Sequence, residues 1–239
     1  MRQTAWRALV ILACVVSVHC GGGSDSTGPA PSPTTGSSGG SGGTSGGGAG
    51  GGSDTFRVIL PISDSFFDDH DWDDLVETSG ASGSGSGGHL SLNGQATVGY
   101  RQVDIHVDSG GSGAMLAVFA IRRDVVYFPS TDGEILWIDY SESSINQSGG
   151  GQYSAPALRQ NGKLYTLVPG GGAFATPETA WTDHSLTHLT QNDFRTLASA
   201  TDHPDFKNGR TEVGFMRLQV GQGVTKGGIT NYRMVLYRK

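Results

Sequence analysis

The stretch QYSAPALRQNGKLYTLV, residues 152–168, contains the pattern that decides the fold of this chain. Two short strand-like runs flank the pair Asn161-Gly162. Asn-Gly is the favoured pair for a type I′ hairpin turn, because both residues tolerate a positive φ angle. A second pair, Asn93-Gly94, separates two further runs of the same kind. The sequence therefore predicts two β-hairpins.

Similar alternating or β-branched runs recur along the chain, separated by Gly, Ser, Asp and Asn. They cover residues 55–62, 89–108, 114–122, 125–128, 134–140, 152–160, 163–168, 181–189, 212–220 and 231–238. Helical signals are confined to residues 190–198, where Thr190 can cap a turn and Asp193 stands three places later. Strands without covering helices must bury their apolar faces against another sheet. We therefore predict an all-β fold, an antiparallel two-sheet β-sandwich with at most one short helix.

The N-terminal part of the chain has a different composition. Arg2 and Arg7 precede an uncharged apolar run at residues 8–18, the pattern of a secretory signal that is too short to span a bilayer. Cys20 ends this run, and the Gly/Ser-rich segment that follows cannot bury enough apolar surface to fold. The remainder of the chain has a normal globular composition.

The stretch around Cys20 resembles the acceptor cysteine of bacterial lipoproteins, in which an apolar run, a Cys and a flexible tether follow one another. The resemblance implies a signal peptide at residues 1–19, a lipidated Cys20 with a disordered tether at residues 20–53, and a β-sandwich domain at residues 54–239. Because Gly21 follows the cysteine, it also implies anchoring in the outer membrane of a bacterium. The alternative is an ordinary cleaved signal and a secreted protein.

Charge and cysteine content exclude two classes of protein. The net charge is −6, and no basic stripe is present, so we expect no nucleic-acid partner. Both cysteines, Cys14 and Cys20, precede the predicted domain, which therefore has no disulfide framework and depends on its core for stability.

Several blocks of the predicted domain resemble exported bacterial proteins with a concanavalin A-like lectin/glucanase jelly roll. The resemblance covers most of residues 64–239 and rests on GYRQVDIHV, VYFPSTDGEILWIDYSES, GQYSAPALRQNGKLYT, AWTDHSLTHLTQNDF and GFMRLQVGQGVTKGGITNYRMVLY. It implies the jelly-roll form of the β-sandwich. The group supplies no activity that can be transferred to this chain.

The acidic segment DSFFDDHDWDDLVE, residues 64–77, is a candidate calcium site, since carboxylate oxygens are preferred ligands of Ca²⁺. Lectin-like jelly rolls often hold a structural Ca²⁺ between the first strand region and the last strand. That resemblance implies a site formed by Asp64 or Asp68 with Asn231. The alternative is a solvated acidic loop around a buried Trp72.

Glucanases of this fold place three carboxylates at alternate positions of one strand. Here Glu134 and Asp139 are five positions apart, and Asp139 and Glu142 are three positions apart. On a continuous strand, the two residues of each pair would face opposite sides. This spacing does not provide the paired carboxylates that glycoside hydrolysis requires. We predict a non-catalytic protein, with a polysaccharide hydrolase or lyase that uses loop carboxylates as an alternative.

Carbohydrate recognition needs an aromatic plate and a few fixed polar groups. The candidate ligand-binding residues are Arg101, Tyr127, Trp137, Asp139, Arg159 and Trp181. We expect Arg101 and Asp139 to mark a concave face, because charged groups at inward positions are costly unless they are paired or line a wet groove. The competing interpretation is that the aromatic residues are core and the charges form structural pairs.

The sequence thus predicts a lectin-like, lipid-anchored binding module for a glycan or another surface polymer. The first alternative is a structural or adhesive surface module whose partner is a protein.

Overall fold

The computed structural model describes residues 57–91 and 99–239, with side chains from residue 61 onward. These residues form ten β-strands: β1 Arg57–Asp64, β2 Trp72–Ser91, β3 Gly99–Tyr127, β4 Ile135–Ser148, β5 Gln152–Gln160, β6 Lys163–Thr166, β7 Phe174–Thr176, β8 Thr182–Leu189, β9 Thr211–Val220 and β10 Gly223–Arg238. In this part of the chain, helix is limited to a short α1, Pro129–Asp132, and two 3₁₀ turns, Asp69–Asp71 and Gln191–Asp193. The predicted all-β class is therefore confirmed.

All strand pairs are antiparallel. β2 and β3 form one long hairpin, and the hydrogen-bonded strands on both sides of it belong to a single sheet. The second half of β3 pairs with β9, which pairs with β5, and β5 pairs with β6 and β7; we call this layer sheet A. The first half of β3 pairs with β10, which pairs with β4, and β4 pairs with β8; we call this layer sheet B. β1 pairs with the second half of β10. Because β2 and β3 belong to both layers, the sandwich consists of one sheet folded over itself.

The two layers pack through side chains that meet between them. The ring centroid of Tyr232 in β10 lies 5.4 Å from that of Trp72 in β2 and 6.0 Å from that of Phe215 in β9. Arg217 of β9 forms an ion pair with Glu142 of β4 at 3.1 Å. These contacts confirm the predicted sandwich, with its core between sheet A and sheet B.

The Gly/Ser-rich half of β2 lies outside the runs that predicted strands. A Cβ atom at Gly85 would come within 2.3 Å of Val118 Cγ2, and one at Gly83 within 2.0 Å of the His106 carbonyl oxygen. Backbone and side-chain atoms of β3 therefore occupy the space that larger residues of β2 would need. The strand forms because β3 pairs with it, although its own residues have low β propensity.

The hairpin predicted at Asn161-Gly162 is confirmed, with φ angles of 53° and 79° and Gln160 paired with Lys163. Asn93-Gly94 lies outside the described residues. The predicted helix at residues 190–198 is wrong in its extent, because only a three-residue 3₁₀ turn forms, at Gln191–Asp193. Its predicted cap is present, since Thr190 and Asp193 form a capping box.

The predicted signal peptide, Cys20 and tether also lie outside the described residues. Among the residues that the structure describes, no helix has the length and apolar character needed to cross a membrane.

Candidate functional site

Alternate residues of β4 point to opposite sides of sheet B. Tyr140 and Glu142 are buried against sheet A, whereas Trp137, Asp139 and Ser141 lie on the other side and are partly exposed. We call this second side the outer face of sheet B. Its neighbouring strands β10 and β8 add further side chains to the same face.

One end of the outer face carries a row of three rings. Trp137 lies 4.8 Å from Tyr237 of β10 and 5.3 Å from His188 of β8, with interplanar angles of 20° and 21°. Because β4 lies between β10 and β8, Trp137 is the middle ring. We call this group the Trp137 row.

Asp139 fixes the Trp137 row in place. Its Oδ1 accepts a hydrogen bond of 2.8 Å from the backbone N–H of His188, whose φ of 56° is unusual for a residue with a side chain. Desolvation and the Asp139 carboxylate raise the pKa of the Tyr237 hydroxyl. Backbone strain of this kind occurs where the surrounding structure imposes it, often at binding sites.

A second aromatic group lies toward the opposite end of β4. Tyr100 of β3 and Trp181, which precedes β8, form an edge-to-face pair with centroids 5.5 Å apart. A Cβ at Gly228 of β10 would lie 3.1 Å from both rings, so glycine lets the pair rest directly on the sheet. Gln147 donates a 2.9 Å hydrogen bond to the Tyr100 hydroxyl. We call this group the Trp181 pair.

Polar side chains from three strands occupy the region between the two aromatic groups. Asn231 Nδ2 donates a 3.0 Å hydrogen bond to Ser143 Oγ, and Ser143 in turn donates to Asp183. Ser141 and Ser185 line the same depression. This polar relay presents carboxylate, amide and hydroxyl groups to solvent.

The two aromatic groups lie far enough apart for an extended ligand. Trp137 and Ile145, which borders Gly228 beneath the Trp181 pair, are eight positions apart on β4. At about 3.3 Å per residue, they are separated by roughly 26 Å along the strand. The outer face therefore has the length of several sugar units.

The structure brings Trp137, Asp139 and Trp181 to this face but places Arg101 elsewhere. The Arg101 side chain is 3% exposed, and its guanidinium lies 2.7 Å from both Asp69 and Asp74. The expectation that Arg101 and Asp139 mark the same face is therefore wrong. Two carboxylates of the acidic segment neutralise Arg101 at a buried position, so it needs no wet groove.

Tyr127 and Arg159 also lie away from the outer face. Tyr127 is buried and donates a 2.6 Å hydrogen bond to the Gly133 carbonyl oxygen. Arg159 belongs to sheet A, where its Nη2 donates a 2.8 Å hydrogen bond to Glu212 Oε1. Both contacts are structural.

Arg159 makes the stability of sheet A sensitive to acid. Its hydrogen bonds to Glu212 lower the pKa of that carboxyl group. The stabilisation is therefore complete above the unfolded-state pKa of about 4.3 and is lost as the pH falls through the folded-state pKa. We expect Glu212→Gln to lower the free energy of unfolding at pH 7 and to flatten its decline in acid, measured by urea denaturation across pH. An unchanged acid slope in Glu212→Gln would contradict this assignment.

The proposed calcium ligands do not form a suitable ligand set. Asp64 Oδ1 accepts hydrogen bonds from the N–H groups of Phe66 and Phe67, and Oδ2 from Trp72 Nε1 and Arg122. Four donors thus occupy the Asp64 carboxylate. Within the described part of the chain, no three His, Cys, Asp or Glu side chains are placed to share a metal ion.

The other two proposed ligands have partners as well. Asp68 accepts a 2.9 Å hydrogen bond from the N–H of His70, and the Asn231 amide donates to Ser143. The alternative for this segment is a solvated acidic loop around a buried Trp72. The buried Trp72 agrees with the structure, because Trp72 is 2% exposed, but the Asp64 side chain is only 8% exposed and is not solvated.

The predicted opposite orientation of Asp139 and Glu142 is confirmed, whereas Glu134 precedes β4. Asp139 lies on the outer face, whereas Glu142 is fully buried and paired with Arg217. The two groups cannot act on one substrate from the same face.

Sequence reasoning missed several residues of the outer face, namely Tyr237, His188, Ser143 and Asp183. They come from three strands, and only β4 contained a recognised signal, the alternation that places Trp137 and Asp139 on one side. The same alternation extended along β4 would have found Ser143.

Comparison with solved structures finds β-sandwich carbohydrate-binding modules at low identity. The family 11 module from Clostridium thermocellum, in complex with a β-1,3-1,4-mixed-linked tetrasaccharide, is 12% identical, with a TM-score of 0.45 over 75% of this chain and 94% of that one. The family 30 module of a C. thermocellum cellulosomal cellulase is 9% identical, with a TM-score of 0.37 over 74% and 92%. A xylan-binding domain from Paenibacillus barcinonensis is 8% identical, with a TM-score of 0.36 over 77% and 96%.

No protein-family model and no curated protein sequence matches the chain. Its own structure defines the class, an antiparallel β-sandwich with an aromatic and polar outer face on one sheet.

Proposed function

We propose that this protein is a non-catalytic module that binds a glycan or a similar hydroxyl-rich surface polymer on the outer face of sheet B. The observation that carries the proposal is the arrangement on this face, where two partly exposed aromatic groups flank a polar relay. Aromatic rings pack against the C–H faces of sugars, and fixed polar groups bind their hydroxyls.

The two aromatic groups have different roles in this proposal. Trp137 is held between Tyr237 and His188, so the Trp137 row is a rigid boundary at one end of the face. The Trp181 pair crosses the sheet over Gly228 and supplies the stacking surface. The polar relay between them accepts hydrogen bonds from hydroxyls through Asp183 and Asn231.

Replacement of Trp181 by alanine tests the proposal. We expect Trp181→Ala to weaken binding at least about tenfold, because an aromatic ring that a bound ligand covers contributes a large share of the affinity of a small interface. The measurement is affinity electrophoresis of the full chain in gels that contain xylan, mixed-linkage β-glucan or galactomannan, followed by calorimetry with the polymer retained.

Two further variants define the specificity of that result. Phe128→Ala removes an exposed ring, 44% exposed at the end of β3, and is expected to leave binding unchanged. Gly228→Ala adds a methyl group that pushes against both rings of the Trp181 pair, and is expected to weaken binding without removing an aromatic side chain. Wild-type affinity in Trp181→Ala, or no retention of the wild-type chain in any gel, would refute the proposal.

We further propose that a lipid on Cys20 anchors this module to the outer membrane and that the Gly/Ser tether holds it clear of the bilayer. The support is the sequence of residues 1–53, and two or three acyl chains suffice for stable anchoring. Mass spectrometry of the natural protein would show an acylated N-terminal cysteine. An unmodified N-terminus would refute the anchor and leave the binding proposal untouched.

A further inference from the structure

We infer that the outer face of sheet B contains a second sugar subsite, a shallow trough between β2 and β3. The trough has a volume of about 190 Å³ and is bordered by Ser86, Gly88, Leu90, Gln102 and Asp104. The inference rests on the proposed function, since the trough would receive the next units of a polymer bound at the Trp181 pair.

The strand register makes the trough continuous with the Trp181 pair. Leu90 is paired with Tyr100, and Gly88 is paired with Gln102. On its other side, Gln102 is paired with Gly228, which lies beneath the rings of the Trp181 pair. A chain that stacks on this pair therefore needs to extend by only one strand to reach the trough.

Gly88 is a glycine that local packing does not require. A Cβ atom at Gly88 would meet no heavy atom within 4 Å, in contrast to Gly85, where one would collide with Val118. Glycine weakens a strand, and where packing does not explain it, it often marks a place that a ligand approaches closely. The missing side chain at Gly88 keeps the trough open.

The wall of the trough has the chemistry of a site for an uncharged sugar. Gln102 Nε2 donates a 3.0 Å hydrogen bond to Asp104 Oδ1, and Lys226 Nζ lies 3.3 Å from Asp104 Oδ2. The carboxylate is thus held in position and its charge is balanced. Amide and carboxylate oxygens in this arrangement can accept hydrogen bonds from hydroxyl groups.

The test compares short and long members of the cello-, xylo- and manno-oligosaccharide series by calorimetry on the full chain. We expect wild-type affinity to rise with chain length as the trough becomes occupied. Gly88→Val fills the trough and is expected to remove this gain, lowering affinity for long members about fivefold and leaving short members unaffected. Gln102→Ala is expected to act in the same direction, and melting temperatures will show that both variants are folded.

Gly111→Val is the matched control, because an added Cβ at Gly111 also meets no heavy atom within 4 Å, and Gly111 lies outside the trough. A full length-dependent gain in Gly88→Val, or no gain in the wild type, overturns the second subsite. If Trp181→Ala still weakens binding at least about tenfold in that case, the proposed function survives. If the wild type binds none of the three series and no polymer, both fail.

Discussion

Replacing Arg217 by methionine is expected to lower the free energy of unfolding by about 3–5 kcal/mol, the cost of breaking a buried ion pair by removing one partner. Arg217 and Glu142 both have fully buried side chains, and their charges lie 3.1 Å apart between the two sheets. Arg217 also donates hydrogen bonds to the Gly228 carbonyl oxygen at 2.9 Å and to Thr176 Oγ1 at 3.3 Å. Methionine fills similar space but provides neither of these hydrogen bonds.

Glu142 would then be a buried charge without a cation. It would retain hydrogen bonds from Ser154, at 2.8 Å, and from Tyr140. Burial, together with the Glu142 carboxylate, raises the pKa of the Tyr140 hydroxyl well above its usual range, so Tyr140 remains a neutral donor. Two neutral donors do not replace a guanidinium.

Equilibrium denaturation of the full chain in guanidinium chloride measures the effect. Arg210→Met is the control, because the Arg210 side chain is 57% exposed and its ion pair with Glu212 is expected to contribute less than about 1 kcal/mol. The double variant Arg217→Met with Glu142→Leu is expected to recover most of the loss, since no unpaired charge remains. A loss of unfolding free energy below about 1 kcal/mol in Arg217→Met would show that the Arg217–Glu142 ion pair contributes little to the packing of the two sheets.

Trp72→Ala is the second large effect, with an expected loss of about 3–5 kcal/mol. The indole ring contacts rings from both layers, with centroids 5.4 Å from Phe67, 5.3 Å from Phe215 and 5.4 Å from Tyr232. Alanine would leave a cavity at this junction. Phe128→Ala, at an exposed site, is the control and is expected to change stability by less than about 0.5 kcal/mol.

Trp72→Phe separates packing from hydrogen bonding. Phenylalanine keeps most of the ring contacts but removes the 3.0 Å hydrogen bond from Trp72 Nε1 to Asp64. We expect a loss of about 1–2 kcal/mol, because Asp64 retains its other donors, including Arg122. Equal losses in Trp72→Ala and Trp72→Phe would mean that the hydrogen bond, and not the core contact, is decisive.

The Trp72 predictions connect the acidic segment to the core. Asp64 and Asp74 accept hydrogen bonds from Arg122 and Arg101, and the segment surrounds Trp72. The acidic segment predicts calcium, but in the structure two of its carboxylates bind arginine side chains instead. The sequence pattern does not show which residues pair with these carboxylates, because Arg101 and Arg122 lie on β3, 27 or more positions away.

Local patterns determined the parts of the structure that depend on neighbouring residues. Asn161-Gly162 fixed a hairpin through its tolerance of positive φ, and alternation along β4 placed Trp137 and Asp139 opposite Glu142. Tertiary structure alone decided the partners of these residues. The Trp137 row joins β10, β4 and β8. The Trp181 pair joins β3 to the residue before β8 over a glycine of β10. The physical reason is that side-chain direction depends on local backbone geometry, whereas the register between distant strands depends on which set of contacts fills the whole core.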